Sequence, residues 1–106
     1  MSTEARITFH GIEPVEGVLY EPLSRRAHVL DTGLEVFEII RTWQEVEQDW
    51  ESLTDAYHWL TGDQLRAALG FYAKNTDFVE ARLARERAAR VEDAWAQYPD
   101  SRPPQR

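Results

Sequence analysis

Tyr57-His58-Trp59-Leu60-Thr61-Gly62-Asp63-Gln64-Leu65-Arg66-Ala67-Ala68-Leu69-Gly70-Phe71-Tyr72 carries the clearest helix start in this chain. Thr61 with Gln64 three residues later has the pattern of a capping box, in which the threonine hydroxyl accepts from the amide of residue 64 and the glutamine side chain accepts from the amide of residue 61. Leu60 and Leu65 stand where a hydrophobic staple would close over the box. Leu65, Ala68, Leu69 and Tyr72 recur at three- and four-residue spacing, which predicts the buried face of a helix. The opposite face holds Asp63, Arg66, Ala67, Gly70 and Lys74 and is thin in bulky side chains. Gly70 costs about 1 kcal/mol relative to alanine inside a helix, so something should need it; approach of another helix or of a DNA backbone would be such a reason.

Upstream, Thr32-Gly33-Leu34-Glu35 reads as a second capping box, followed by a stripe of Val36, Ile39, Ile40, Trp43 and Val46. Trp50, Leu53, Tyr57 and Leu60 predict a middle helix opened near Asp49. Three helices with short joints, over residues 32–75, make a tri-helical unit like a helix-turn-helix, whose last helix is the one offered to a DNA groove. The same periodicity would serve any small helical bundle.

The N-terminal arm, residues 1–31, has strand character. Arg6-Ile7-Thr8-Phe9-His10 alternates polar and apolar residues, and the short runs Val18-Leu19-Tyr20 and Ala27-His28-Val29-Leu30 are separated by turn chemistry around Pro22. Strands this short need a partner, either the helices or the same strands of a second chain. Beyond Lys74, one of Asn75, Thr76 and Asp77 is expected to cap a fourth helix, residues 76–98. Along it Ala81, Ala84, Ala88, Val91 and Trp95 form a narrow seam that another helix could approach closely. Arg82, Arg85, Arg87 and Arg90 interleave with the seam, among Glu80, Glu86, Glu92 and Asp93. Residues 99–106, with Pro99, Pro103 and Pro104, cannot continue the helix and read as a flexible tail. The fold expected is therefore mainly α with a small N-terminal β portion: a tri-helical core plus a fourth, C-terminal helix, in a single domain.

Composition narrows the function. The 106 residues, 42% of them hydrophobic, suffice for one modest core. With no cysteine, disulfides, thiolate metal sites and cysteine nucleophiles are excluded. Met1-Ser2-Thr3-Glu4 has no basic region leading into an apolar run, and no stretch approaches the roughly 18 apolar residues of a membrane span. A cytoplasmic protein without membrane partners is expected. His10, His28 and His58 are too scattered for a metal site, and neither a nucleophile elbow nor a phosphate-cradling glycine loop occurs. We expect no enzyme, no cofactor and no metal.

The net charge is -7, which speaks against a general nucleic-acid coat. The acid is unevenly spread: residues 34–60 hold seven acidic and one basic side chain, whereas residues 61–91 hold four and six. A specific DNA contact through the third helix is compatible with that distribution.

The stretch from Tyr57 to Tyr72 resembles the VapB-like antitoxin helix-turn-helix family, first catalogued as domain of unknown function 433. It is similar to that family's run of an aromatic, a leucine followed by Thr or Ser, an aliphatic residue, Ala-Leu and a closing aromatic pair. His28-Val29-Leu30-Asp31-Thr32-Gly33-Leu34-Glu35-Val36-Phe37-Glu38-Ile39 resembles its strand-turn-helix on Gly-Thr-Arg-Ile-x-Val, with Asp31 and Gly33 in place of its Gly and Arg. The resemblance covers residues 27 to about 75. It implies a homodimer paired through N-terminal strands, a third helix facing promoter DNA, and a bacterial or archaeal toxin-antitoxin setting beside a PIN-domain ribonuclease. On that reading Arg66, Gly70 and Lys74 would meet DNA. Trp95 and Tyr98 would anchor a C-terminal arm on the toxin, with Arg102 or Arg106 reaching its carboxylate site. The alternative is a homo-oligomeric protein-interaction module that does not bind DNA.

Overall fold

The computed structural model describes residues 11–97. The predicted strand at residues 6–10, with His10, and the C-terminal residues Tyr98, Arg102 and Arg106 lie outside them. The order of elements is β1 (Val18–Glu21), β2 (Arg26–Val29), α1 (Val36–Glu45), α2 (Trp50–Ala56), α3 (Gly62–Lys74) and α4 (Thr76–Gln97). The chain is mainly helical with one small antiparallel sheet, as the sequence predicts.

The two strands form a hairpin with Val18 opposite Val29, Leu19 opposite His28, Tyr20 opposite Ala27 and Glu21 opposite Arg26. Alternation sends Val18, Tyr20, Ala27 and Val29 to the helices and Leu19, Glu21, Arg26 and His28 outward. A hairpin this small is marginal alone. Its inner face packs on α1, α3 and α4, with the Tyr20 ring edge-on to Phe78 at 5.6 Å between centroids.

The core is built from one face of each helix: Val36, Phe37, Ile39 and Ile40 from α1, Leu53 from α2, Leu65, Ala68 and Phe71 from α3, and Val79 and Leu83 from α4. Ile12, Ala27 and Val29 close it from the N-terminal side. On α3 the stripe is rotated from the expected one. Phe71 is buried, while Leu69 and Tyr72 are only half-buried, because the Tyr72 hydroxyl points out to Glu80 of α4 at 2.5 Å.

The helix starts follow local chemistry in two cases and depart from it in a third. The box at α3 is formed: the Gln64 amide donates to the Thr61 hydroxyl at 3.1 Å, and the Thr61 amide donates to the Gln64 side chain at 2.9 Å. Asp49 caps α2, accepting from the Ser52 amide at 2.9 Å. The expected box at Thr32 and Glu35 does not form. The Thr32 hydroxyl donates to the Val29 carbonyl at 2.8 Å and accepts from the Leu34 amide at 2.9 Å, which closes the turn after β2. Helix α1 therefore starts one turn later, after Glu35, with no side-chain cap. The Glu35 carboxylate is drawn to Arg82 of α4 instead, an ion pair worth more in this half-dry setting than a bond to one amide.

That pair is the main polar tie between α4 and the rest of the chain. Arg82 donates through Nε and Nη2 to the two Glu35 oxygens at 3.3 and 3.2 Å, bonds Glu86 one turn along, and lies 4.3 Å from the centroid of the Phe37 ring. Burial disfavours the charged guanidinium, but the hydrogen bonds it donates to Glu35 and Glu86 outweigh it and hold Arg82 above its ordinary pKa.

Candidate functional site

Helix α3 carries the candidate face, and two elements set its surroundings. At its C-terminal end Asn75 is buried and clamps the N-terminal segment. Its side-chain oxygen accepts from the Glu13 amide at 2.7 Å, and its side-chain nitrogen donates to the Glu13 carbonyl at 3.0 Å. At the other end Gly17 brings the same segment against the helix. It has φ +91°, and a Cβ placed there would stand 2.9 Å from the Cβ of Ala67, so only glycine fits the crossing. The segment from Ile12 to Val18 thus runs along one flank of α3, leaving a cleft of about 570 Å³ beside Val15, Gly17, Leu30, Asp31, Asp63 and Arg66.

Of the three residues expected to meet DNA, Arg66 and Lys74 are exposed on α3, while Gly70 between them is half-buried beside the N-terminal segment. Arg66 is exposed, donates to Asp63 at 2.8 Å in an i,i+3 pair, and lies 5.6 Å from the Trp50 ring centroid. Lys74 is exposed in the last turn. Gly70 is half-buried, and a Cβ there would meet only a Val15 methyl, at 3.9 Å. That is ordinary contact, so the packing of the described residues leaves room for alanine at this position. Acidic side chains flank the same region: Asp63 on the helix, and Glu16 and Asp31 across the cleft. An exposed Trp59 stands at the foot of α3, with Tyr57 and His58 packed edge-on to it.

Of the expected arm residues only Trp95 falls within the described chain. It is half-buried near the end of α4, beside Val91. Among the described residues no group of three or more His, Cys, Asp and Glu side chains is placed to hold a metal ion. His28 lies 3.4 Å from Glu21 on the outer face of the hairpin. None of the described helices is long and apolar enough to cross a membrane.

Sequence reasoning missed the Asn75 clamp and the Gly17 crossing. Asn75 reads only as one of three possible caps, and Glu13-Pro14-Val15-Glu16-Gly17 reads only as turn chemistry ahead of the first short apolar run. Both act through contacts with residues far away in the chain, which no local pattern records.

Compared with protein-family models, with curated proteins and with solved structures, the chain matches none.

Proposed function

We propose that the protein is a small helix-turn-helix protein of the antitoxin kind, in which the outer side of α3 meets DNA. The observation that carries this reading is Gly70. A glycine inside a helix costs about 1 kcal/mol relative to alanine, and among the described residues a Cβ at the half-buried Gly70 would meet only a Val15 methyl, in ordinary contact at 3.9 Å. On this reading the missing side chain makes room for a DNA backbone, with Arg66 and Lys74 one turn to either side as the cations a phosphate backbone would want. The resemblance of residues 57–72 to the VapB-like family points the same way. It adds a homodimer through the N-terminal strands and a PIN-domain toxin gripped by Trp95, Tyr98 and Arg102 or Arg106.

One observation favours the second reading, an interaction module that does not bind DNA. Arg66 already has a carboxylate partner in Asp63, and Glu16 and Asp31 add negative charge close by. Such a surface repels phosphate unless a partner reorders it.

Duplex binding separates the two. Fluorescence anisotropy with the DNA upstream of the protein's own gene, read at two salt concentrations, should give binding that weakens steeply with salt and weakens further in the Arg66→Ala, Lys74→Ala double variant. Binding unchanged by removal of both cations refutes the assignment of this face. Absence of binding refutes the DNA reading and favours the interaction module. For the toxin arm, undiminished toxin inhibition after deletion of residues 96–106 overturns that part.

A further inference from the structure

The arginines along α4 have different surroundings. Arg82 is spent within the chain, on Glu35, Glu86 and the Phe37 ring. Arg87 and Arg90 instead border a groove of about 200 Å³ between α4 and α1. Its α4 wall is Leu83, Glu86, Arg87 and Arg90, which recur at three- and four-residue spacing, and its α1 wall carries Arg41 and Glu45, four residues apart. Each wall is one stripe of its helix. Leu83, 2% exposed, forms the floor.

The charges in this groove are unevenly matched. Glu86 is taken up by Arg82. Arg41, Arg87 and Arg90 make no ion pair with any carboxylate among the described residues, although the chain holds 19 acidic and 12 basic side chains. Arg41 lies 5.8 Å from the centroid of the Phe37 ring. Three guanidiniums therefore share one groove with a single uncommitted carboxylate, Glu45.

We infer that this groove binds the phosphate group of a small phosphate monoester. Charge selects the ligand first. Three guanidiniums against Glu45 leave two positive charges, and a phosphate monoester carries about -1.5 to -2 at pH 7. A carboxylate or a phosphodiester brings one negative charge per group and would leave the groove half neutralised. Chemistry agrees, because the planar donor fork of arginine matches phosphate oxygens two at a time. Size limits the rest of the ligand: the groove is smaller than the roughly 300–1,000 Å³ of pockets for drug-sized molecules, so few atoms beyond the phosphate are enclosed. The walls are also held in place. Val79 and Leu83 are buried in the core, and Arg82 on Glu35 ties α4 to the start of α1, so binding has to order only side chains. The groove uses no residue of α3 and is independent of whether α3 meets DNA.

The test is a titration of the full chain with inorganic phosphate and with ribose 5-phosphate near pH 7 at constant ionic strength, followed through the arginine side-chain NMR signals. Saturable shifts are expected at Arg41, Arg87 and Arg90, and not at Arg25 and Arg85, which are exposed outside the groove. Arg87 and Arg90 are themselves exposed and glutamine is a good helix former, so Arg87→Gln with Arg90→Gln should fold, which circular dichroism checks. Its affinity for ribose 5-phosphate should fall by about tenfold or more. Glu45→Gln removes the opposing charge and should raise the affinity about threefold. Dimethyl phosphate, a diester with one charge, should bind more weakly than inorganic phosphate. Linear shifts shared by all the arginines, an affinity indifferent to the double variant, or equal binding of dimethyl phosphate overturns the inference. Binding of a phosphoserine peptide without binding of ribose 5-phosphate overturns the small ligand.

Discussion

Gly17→Ala should destabilise the protein by about 2–5 kcal/mol, through two separable costs. The first is conformational: φ at residue 17 is +91°, where a side chain is strained, and the left-handed region costs an L-residue about 1–2 kcal/mol. The second is steric. The new Cβ would lie 2.9 Å from the Cβ of Ala67, well inside the roughly 3.5–4.0 Å of a favourable carbon contact. Neither methyl can rotate away, and the segment is tied on both sides, by the bond from the Leu30 amide to the Gly17 carbonyl and by the Asn75 clamp on Glu13. Overpacking of this kind costs about 1–3 kcal/mol. Ala67→Gly deletes the steric part at its own cost of about 1 kcal/mol in helix propensity. In that background Gly17→Ala should lose only the conformational 1–2 kcal/mol, which leaves a coupling of about 1–3 kcal/mol between the two sites. Urea unfolding followed by tryptophan fluorescence on the four variants of the cycle measures it. A Gly17→Ala loss equal in both backgrounds would refute the close approach of the segment to α3.

Gly70→Ala should raise stability by about 0.5–1 kcal/mol, because the helix gains propensity and the added methyl meets only Val15; a lower urea midpoint would mean that the packing there is tighter than 3.9 Å. If the same variant also binds its target less well, glycine is kept for function. Arg82→Met should cost about 2–3 kcal/mol, since Glu35 is left nearly buried with, among the described residues, Arg26 at 3.9 Å as its remaining cation, and Glu35→Met in addition should restore part of it. A larger loss in the double variant than in the single would contradict this account. The Tyr72 hydroxyl is held above its usual 10.0, first by its hydrogen bond to Glu80 and then by burial. Its contribution is complete below pH 10 and is lost as pH rises through the higher folded value, so Tyr72→Phe should flatten the alkaline fall in stability. An unchanged alkaline profile would show that the pair does not act.

How far the fold could be read from the sequence depended on the range of the interactions. Thr61 with Gln64, and Asp49 with Ser52, are contacts within one turn, and both caps form as read. Thr32 with Glu35 has the same letters and fails, because each side chain has a better partner elsewhere: the Val29 carbonyl for Thr32, and Arg82, 47 residues away, for Glu35. The hydrophobic stripe located α3 but misplaced its centre, since periodicity does not reveal that Tyr72 would turn out to Glu80 and let Phe71 take the core. On α4 the regular spacing of the alanine seam was visible, whereas the face that packs inward is carried by Phe78, Val79 and Leu83 near its start, too short a stripe to stand out. Asp31 adopts φ 64° in the turn after β2, a conformation that aspartate tolerates better than most residues.

The candidate face was legible as residue types but not as surroundings. Arg66 and Lys74 are exposed on α3 as helical spacing predicts, but Gly70 is half-buried beside Val15. The neighbouring acids Glu16 and Asp31 come from the N-terminal segment and the turn after β2, brought in by the Gly17 crossing. It is this assembled negative charge that makes the DNA reading sharp enough to fail.

The most direct measurement is therefore a salt titration of binding to the upstream duplex by the wild type and by the Arg66→Ala, Lys74→Ala double variant. The proposed function requires a log–log slope that is shallower in the variant by about two, one for each cation withdrawn from a phosphate. Identical slopes and affinities for the two proteins would contradict it and assign the outer face of α3 to something other than DNA.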